Sequence, residues 1–172
     1  VSTCSFVVTV ADTAVPTITC ATAPGTAEAT SSSGAAVSYD AASATDAGDD
    51  DVTITYSAAS ASTFAIGTTT VTVTAEDNYS NTSTCTFDVV VADTASPTIT
   101  CATAPGTAEA TSPSGAAVSY DVATATDTGD DAVAITYSAA SASTFAIGTT
   151  TVTATATDDS GNTDTCTFNV VV

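Results

Sequence analysis

The sequence predicts an all-β protein made of two tandem two-sheet sandwich modules, each closed by one disulfide. A segment around Thr-Cys-Thr-Phe occurs three times, because Cys4, Cys85 and Cys166 are 81 residues apart (85 − 4 and 166 − 85). Apolar residues alternate with threonine in a strand pattern, and turn signals separate the segments about every 8–12 residues. A repeat of this length is the size of a small domain, so the chain is an array of domains.

The phase of the repeat sets the module boundaries. Residues 1–11 are predicted to be the closing strand of a preceding module, residues 12–92 a first module and residues 93–172 a second module. The two copies are identical at most positions. Because residue 1 falls within a repeat, we expect the N-terminus and any signal peptide of the protein to lie elsewhere.

In the second copy, the first strand is predicted at Pro97–Cys101, where a proline at the start costs no ladder hydrogen bond. Gly106–Thr111 is expected to continue that edge. Ala116–Asp121 is predicted as the next core strand, after a turn at Ser112–Gly115.

Four further strands complete the predicted sandwich: Ala132–Tyr137, Ser143–Ile147, Thr149–Ala156 and Thr163–Val172. Alternation is clearest in the third of these, where Val152, Ala154 and Ala156 share one face and threonines share the other. Six to seven short strands per copy are typical of a two-sheet sandwich.

The cysteines occupy equivalent positions when the copies are aligned at the 81-residue period. Cys20 and Cys85 lie in one module and Cys101 and Cys166 in the next, which predicts one disulfide in each, whereas the partner of Cys4 is expected upstream. Each bridge closes a long loop, worth about 4 kcal/mol on a chain-entropy argument. Zinc binding is the alternative, but no CxxC pair or histidine is present to complete a site. Disulfides imply an oxidising compartment, and so an extracellular or cell-surface location.

The charge balance restricts the partners. The chain has no Lys, Arg or His and a formal net charge of −19. This charge excludes nucleic acid and anionic membrane surfaces as natural partners, while cations and basic proteins remain open. Mean hydropathy is positive (+0.31), which argues against disorder. No run approaches the ~20 apolar residues of a spanning helix, so no membrane insertion is expected in this segment.

Aspartates cluster in loops that a sandwich would bring to one pole of each module. The first copy carries Asp46, Asp49, Asp50 and Asp51 in one such loop. In the second copy we expect these residues to converge as a metal site: Asp93, Asp127, Asp130, Asp131, Asp158 and Asp159. Grouped carboxylates suit Ca²⁺, whereas the alternative is that they cap turns and keep the chain soluble. No cofactor is expected to be required.

Glycans are the other expected modification. Asn78-Tyr-Ser and Asn81-Thr-Ser are both acceptor sequons on a predicted exposed hairpin. The outward threonine rows offer O-linked sites, although the strand propensity of threonine explains them equally well. No catalytic residue is predicted, because a Ser or Thr nucleophile has neither His nor Lys as its base.

The end of the repeat resembles a hyalin repeat (HYR) module, through Phe145-Ala-Ile-Gly-Thr-Thr-Thr-Val, Ser160-Gly-Asn-Thr and Thr165-Cys-Thr-Phe-Asn-Val. Asp93-Thr-Ala-Ser-Pro-Thr-Ile-Thr-Cys is similar to the opening of such a module. The resemblance implies an immunoglobulin-like β-sandwich in extracellular proteins of adhesion and matrix, without enzymatic activity. Two features depart from the family pattern: alanine follows the first cysteine in place of proline, and Tyr39 and Tyr120 stand where tryptophan is frequent.

These observations favour a structural repeat segment of a glycosylated extracellular filament, stalk or surface fibre. Its expected partners are neighbouring modules or copies of itself, with strand donation by residues 1–10 as one way to join them. The alternative is an extender or ligand-binding region of a cell-surface adhesin or receptor, rigidified by Ca²⁺.

Overall fold

A computed structural model describes residues 1–48, 51–130 and 132–172, and within these ranges the secondary structure is entirely β. The strands of the first copy are β1 Thr17–Thr19, β2 Ala27–Glu28, β3 Ala35–Val37, β4 Ser43–Thr45, β5 Thr53–Tyr56, β6 Ser62–Phe64, β7 Gly67–Glu76 and β8 Thr82–Ala92. The strands of the second copy are β9 Thr98–Thr100, β10 Ala116–Val118, β11 Thr124–Thr126, β12 Ala134–Tyr137, β13 Ser143–Phe145, β14 Thr149–Thr157 and β15 Thr163–Val171.

The two copies use the same strand pairings, except that β2 extends the larger sheet of the first copy by one strand. In the first, β1 pairs with β4, β3 with β6, and the larger sheet has the order β2-β8-β7-β5. In the second, β9 pairs with β11, β10 with β13, and the larger sheet has the order β12-β14-β15. The β14–β15 hairpin is antiparallel over its whole length, from Thr149 opposite Val171 to Thr157 opposite Thr163. The all-β prediction is therefore confirmed.

The core lies between two layers of each module. In the second copy, Val118 of β10 and Phe145 of β13 face Val152 of β14 and Phe168 and Val170 of β15. The valines of β14 and β15 in this cluster are fully buried. Apolar residues at alternate positions thus give β10, β14 and β15 one buried face, as the period of two requires.

Both predicted disulfides are formed. Cys20 bonds to Cys85 with their Cα atoms 5.8 Å apart, and Cys101 bonds to Cys166 at 5.6 Å. An aromatic pair accompanies each bridge, since Tyr120 packs edge-on against Phe168 with ring centroids 4.8 Å apart. Tyrosine therefore takes the buried aromatic position of this sandwich.

The structure adds one strand per copy that the sequence did not predict. These strands, β4 and β11, pair with the first strand of each copy. Small residues alternate with threonine in β11, so it carries little apolar signal and belongs to a narrow two-stranded edge. The predicted strand at Gly106–Thr111 is absent from the described structure of the second copy, although Ala108 N donates to Val171 O at 2.9 Å.

Contacts between residues divide the chain into two compact units. The first comprises Val1–Ala27 and Ala36–Val90, and the second comprises Glu28–Ala35 and Val91–Val172. Within the first unit, residues 1–10 are exposed and form no strand. Within the second unit, the Glu28 carboxylate accepts hydrogen bonds from N and Oγ1 of Thr94, both at 2.7 Å. These bonds fix the segment that leads into β9.

Candidate metal centre

Three aspartates of the second copy form a compact carboxylate cluster. Asp93, Asp127 and Asp158 each contribute one oxygen, and these oxygens all lie within 4.8 Å of one another. Asp93 and Asp158 are buried, at 7% and 5% exposure, and Asp127 is partly buried. We name this group the second-copy triad.

Three separate elements bring the triad together. Asp93 precedes β9, Asp127 directly follows β11, and Asp158 directly follows β14. Because β9 and β11 pair antiparallel with Thr98 opposite Thr126, the segment before β9 and the loop after β11 lie at the same end of the sheet. The strand that the sequence did not predict is therefore the one that places Asp127.

Backbone and amide hydrogen bonds orient the carboxylates. Gly129 N donates to Oδ1 of Asp127 at 2.7 Å, and Ala95 N donates to Oδ1 of Asp93 at 3.3 Å. Asn162 holds Asp158 through its backbone N to Oδ1, at 2.7 Å, and through its side-chain Nδ2 to Oδ2, at 2.9 Å. Asx turns of this kind fix a short carboxylate without needing all of its acceptor capacity.

One carboxylate oxygen of the triad is left without a partner. Oδ2 of Asp93 is buried and accepts no hydrogen bond of normal geometry, although the Ser160 hydroxyl lies close enough to lower the pKa of Asp93. Burial is the largest influence on the pKa of Asp93 and raises it, and the charges of Asp127 and Asp158 raise it further. Hydrogen bonds from the Ala95 N–H and the Ser160 hydroxyl lower the pKa, but the overall shift is upward. A raised pKa is the direction expected where burial and neighbouring carboxylates disfavour negative charge.

The first copy repeats the arrangement. Asp12, Asp46 and Asp77 also bring one oxygen each within 4.8 Å of the others, and we name them the first-copy triad. Oδ2 of Asp12 is buried without a partner, as is its counterpart in Asp93. Desolvation would raise the pKa of Asp77, but hydrogen bonds from the Asn81 side chain and from the backbones of Asn81 and Tyr79 lower it overall.

A glycine makes room for each triad. A Cβ added at Gly129 would lie 2.4 Å from Cγ of Asp93, and one added at Gly48 would lie 2.2 Å from Oδ2 of Asp12. Both distances are below any real van der Waals contact. The loop backbone therefore approaches the carboxylates as closely as it does because it has no side chain at this point.

The other described acidic residues of the predicted loops lie outside the triads. Asp130 turns its Oδ2 to the backbone N of Asp159 at 2.8 Å, and Asp159 is exposed. Asp51 is also exposed. Asp131, Asp49 and Asp50 lie outside the described residues.

Sequence reasoning did not identify the first-copy triad or the residues that support the two clusters. Asp12 and Asp77 are the equivalents of Asp93 and Asp158 at the 81-residue period, so that period alone would have found them. The roles of Asn162 and Gly129 depend on a hydrogen bond and a close approach, neither of which leaves a sequence signal.

The two sequons differ in their surroundings. Asn78 is exposed. Asn81 is partly buried, and its Nδ2 donates to Oδ2 of Asp77 at 2.7 Å and to O of Asp12 at 3.4 Å. The amide nitrogen that a glycan would occupy on Asn81 is thus part of the support for the first-copy triad.

One surface cavity offers no comparable chemistry. It has a volume of about 210 Å³ and is lined by Thr103, Ala104, Pro105, Ser119, Tyr120 and Asp121. This volume is below the ~300–1,000 Å³ of typical small-molecule sites. The triads are therefore the stronger candidates for a functional site.

Comparison with known proteins gives one family. The HYR domain model matches residues 11–91 and again residues 92–172. No curated protein matches the chain. Among the described residues, no helix has the length and apolar character to cross a bilayer. HYR repeats are non-enzymatic, disulfide-containing β domains of the extracellular type. Since the two matches together cover nearly the whole sequence, the chain belongs to the HYR domain family.

Proposed function

We propose that this chain is a segment of an extracellular filament, stalk or surface fibre that withstands tension, in which HYR modules are linked in series. The observation that carries the proposal is the position of the disulfide in each module. Cys101 directly follows the first strand β9, and Cys166 lies in the closing strand β15. Tension between the ends of the module would pass from one strand to the other through the bridge.

The bridge removes most of the module from the load path. The bonded cysteines are 65 positions apart, so of the 81 positions of a module 16 (81 − 65) remain for tension to extend. At about 3.5 Å per residue, these 16 positions reach roughly 55 Å when fully extended. The loop that the bridge closes spans 65 positions and would add roughly 230 Å if the bridge were absent. A series of such modules resists lengthening even after its sheets have opened.

Pulling single molecules by their ends tests this role. We expect each oxidised module to open with a short extension, and a reducing agent to lengthen each opening event by roughly 230 Å. A chain with Cys101→Ala and Cys166→Ala should show one long and one short event, because only its second module has lost the bridge. Long events in the oxidised wild type would contradict the proposal, since the bridges would then lie outside the load path.

Assembly is tested separately on the native material. Electron microscopy should show regular fibres whose axial repeat is one or two modules, with neighbouring modules or further copies of the chain as the partners. Discrete monomers would contradict the filament and favour the adhesin or receptor segment. The observation that supports this second candidate is the hairpin tip of the first copy, where Tyr79 is 60% exposed and Ser160 takes its place in the second copy.

Glycosylation belongs to the same proposal, and we assign it to Asn78. The exposure of Asn78 supports this choice, whereas a glycan on Asn81 would disturb the hydrogen bond to Asp77. Mass spectrometry of peptides from the native protein should find sugar on Asn78 and not on Asn81. Sugar on Asn81 alone would contradict the assignment.

A further inference from the structure

We propose that each module binds one Ca²⁺ ion, the first at Asp12, Asp46 and Asp77 and the second at Asp93, Asp127 and Asp158. The site is a property of the single module, so it does not depend on the filament proposal. The support for this site comes in four steps: charge, geometry, the unpartnered oxygens, and repetition.

The first step is charge. Asp93 and Asp158 are at most 7% exposed, and the Asp127 carboxylate lies beside them. A buried carboxylate is costly unless a cation accompanies it. The chain contains no Lys, Arg or His, so no side chain can supply that cation. Apart from protonation of a carboxylate, the neutralising charge has to come from a cation in solution.

The second step is geometry. Ca²⁺ binds oxygens at about 2.3–2.6 Å, so two of its ligands are never more than about 5.2 Å apart. The three carboxylate oxygens of each triad lie within 4.8 Å of one another, so one point lies no more than about 2.8 Å (4.8/√3) from all three. A shift of a few tenths of an ångström at most brings them to the bonding distance of Ca²⁺. Mg²⁺ usually takes one or two carboxylates and keeps several waters, whereas Ca²⁺ is held by several oxygens in flexible geometry. Three carboxylates on three elements favour Ca²⁺.

The third step is the oxygens without a partner. Asx turns explain why Oδ1 of Asp93 and Oδ1 of Asp127 accept backbone hydrogen bonds. They do not explain why Oδ2 of Asp93 is buried beside two other carboxylates with no donor in hydrogen-bonding geometry. A buried acceptor without a donor is rare in folded proteins, and such an oxygen is commonly the ligand of a bound ion or water. A calcium ion between the three carboxylates would occupy it.

The fourth step is repetition. The first-copy triad has the same three aspartates, the same unpartnered oxygen on Asp12, and Asn81 and Gly48 in the supporting positions. The copies differ at other positions on the hairpin that carries the third aspartate, such as Tyr79 and Ser160. Two copies that vary nearby and keep the whole cluster are expected if the cluster binds the same ion twice.

The experiment counts ions and measures melting on the intact oxidised chain. Native mass spectrometry should find two Ca²⁺ ions on the wild type, one on Asp93→Asn and none on the double variant Asp12→Asn/Asp93→Asn. The matched control Asp121→Asn loses the same charge at an exposed position outside the triads and should keep two. We expect dissociation constants of about 10⁻⁴–10⁻³ M, as in other extracellular calcium modules.

Melting separates a calcium site from a turn cap. Free Ca²⁺ at 100 times Kd should raise the Tm of the wild type by roughly 10–20 °C relative to EDTA. Asp93→Asn keeps the shape of the side chain, so in EDTA its second module should melt no lower than that of the wild type. In Ca²⁺ the second module of Asp93→Asn should melt below that of the wild type, because the variant has lost the stabilisation that the ion supplies.

Three outcomes would overturn the proposal. In the first, the Tm and ion count of the wild type do not respond to Ca²⁺. In the second, Asp93→Asn lowers the Tm equally in Ca²⁺ and in EDTA, which is the result for a cap alone. In the third, the ions are attracted non-selectively to an acidic surface. Either Mg²⁺ at equal concentration then gives the same shift in Tm, or the number of bound Ca²⁺ ions is the same in the wild type and in both triad variants.

Discussion

The two copies hold the same carboxylate triad at different depths. Asp93 is buried at 7% exposure, whereas its equivalent Asp12 is partly exposed. Gly129, which packs against Asp93, is buried, and Gly48 is exposed. In the second unit, Glu28 also fixes the segment next to Asp93 through its two bonds to Thr94.

The comparison shows which features the two triads share and which differ between them. The three aspartates, the glycine and the supporting asparagine are the same in both copies, while the exposure of Asp12 and Asp93 differs. Electrostatic interactions strengthen as water is excluded. If the proposed ion binds, we therefore expect the second-copy triad to hold it more tightly than the first.

The largest effect should come from filling the space beside the triad. Gly129→Ala places a Cβ 2.4 Å from Cγ of the buried Asp93, so either the loop or the carboxylate has to move. Overpacking of this kind costs about 2–3 kcal/mol. Gly48→Ala should cost less, because the partly exposed Asp12 can turn away. Amide hydrogen exchange on peptides from each module would measure both changes in the intact chain.

Gly106→Ala serves as the control for this pair. A Cβ at Gly106 would meet no atom within 4 Å, so the substitution should leave the exchange rates of the second module nearly unchanged. Equal destabilisation by Gly48→Ala and Gly129→Ala would contradict this expectation, because it would show that the burial of the triad does not affect the cost of the added methyl group.

The period and the cysteines were enough to predict the two sandwiches and their disulfides. Threonine alternation located β14 and β15, because an apolar residue at every second position gives a strong two-residue pattern. It failed for β11, whose only apolar residue is an alanine. A strand of this kind is held by pairing with β9 and leaves almost no signal in the sequence.

The site was predicted at the level of loops but not of individual atoms. Asp93, Asp127 and Asp158 were expected together with three other aspartates, since chain topology shows which loops share a pole. It cannot show which carboxylates point inward. The backbone direction after β11 and the bonds from Asn162 to Asp158 decide that, and both depend on tertiary structure.

The next effect concerns the core, where the copies differ at equivalent buried positions. Val73 and Ala154 are both fully buried, and each pairs across the sheet with a tyrosine, Tyr56 or Tyr137. Val73→Ala removes two methyl groups and should destabilise the first module by about 2 kcal/mol, from lost burial and the cavity that remains. Hydrogen exchange should show faster opening of β7 while the second module is unaffected.

Val15→Ser, which also replaces a first-copy residue by its second-copy equivalent, is the control for this substitution. Val15 is 57% exposed, so its loss should change stability by no more than about 0.5 kcal/mol. If Val73→Ala were equally mild, the first module would have to close the cavity by repacking around Tyr56. The core would then be less rigid than its burial indicates.

The smallest effect lies in the hairpins that carry Asp77 and Asp158. Ser80 has a φ of 67°, in the left-handed region that disfavours residues with a Cβ, and its equivalent Gly161 has a φ of 90°. Ser80→Gly should therefore stabilise the first module by about 1 kcal/mol, and Gly161→Ser should destabilise the second by a similar amount. Both residues donate their backbone N–H to the preceding aspartate carbonyl at 3.2 Å, so the turn itself is the same in both copies.

Opposite and nearly equal shifts in hydrogen exchange near Asp77 and Asp158 would show that backbone conformation alone distinguishes the hairpins. Shifts of the same sign would mean that the side chain of Ser80 makes a contribution of its own, and that the first copy is adapted to serine at this position.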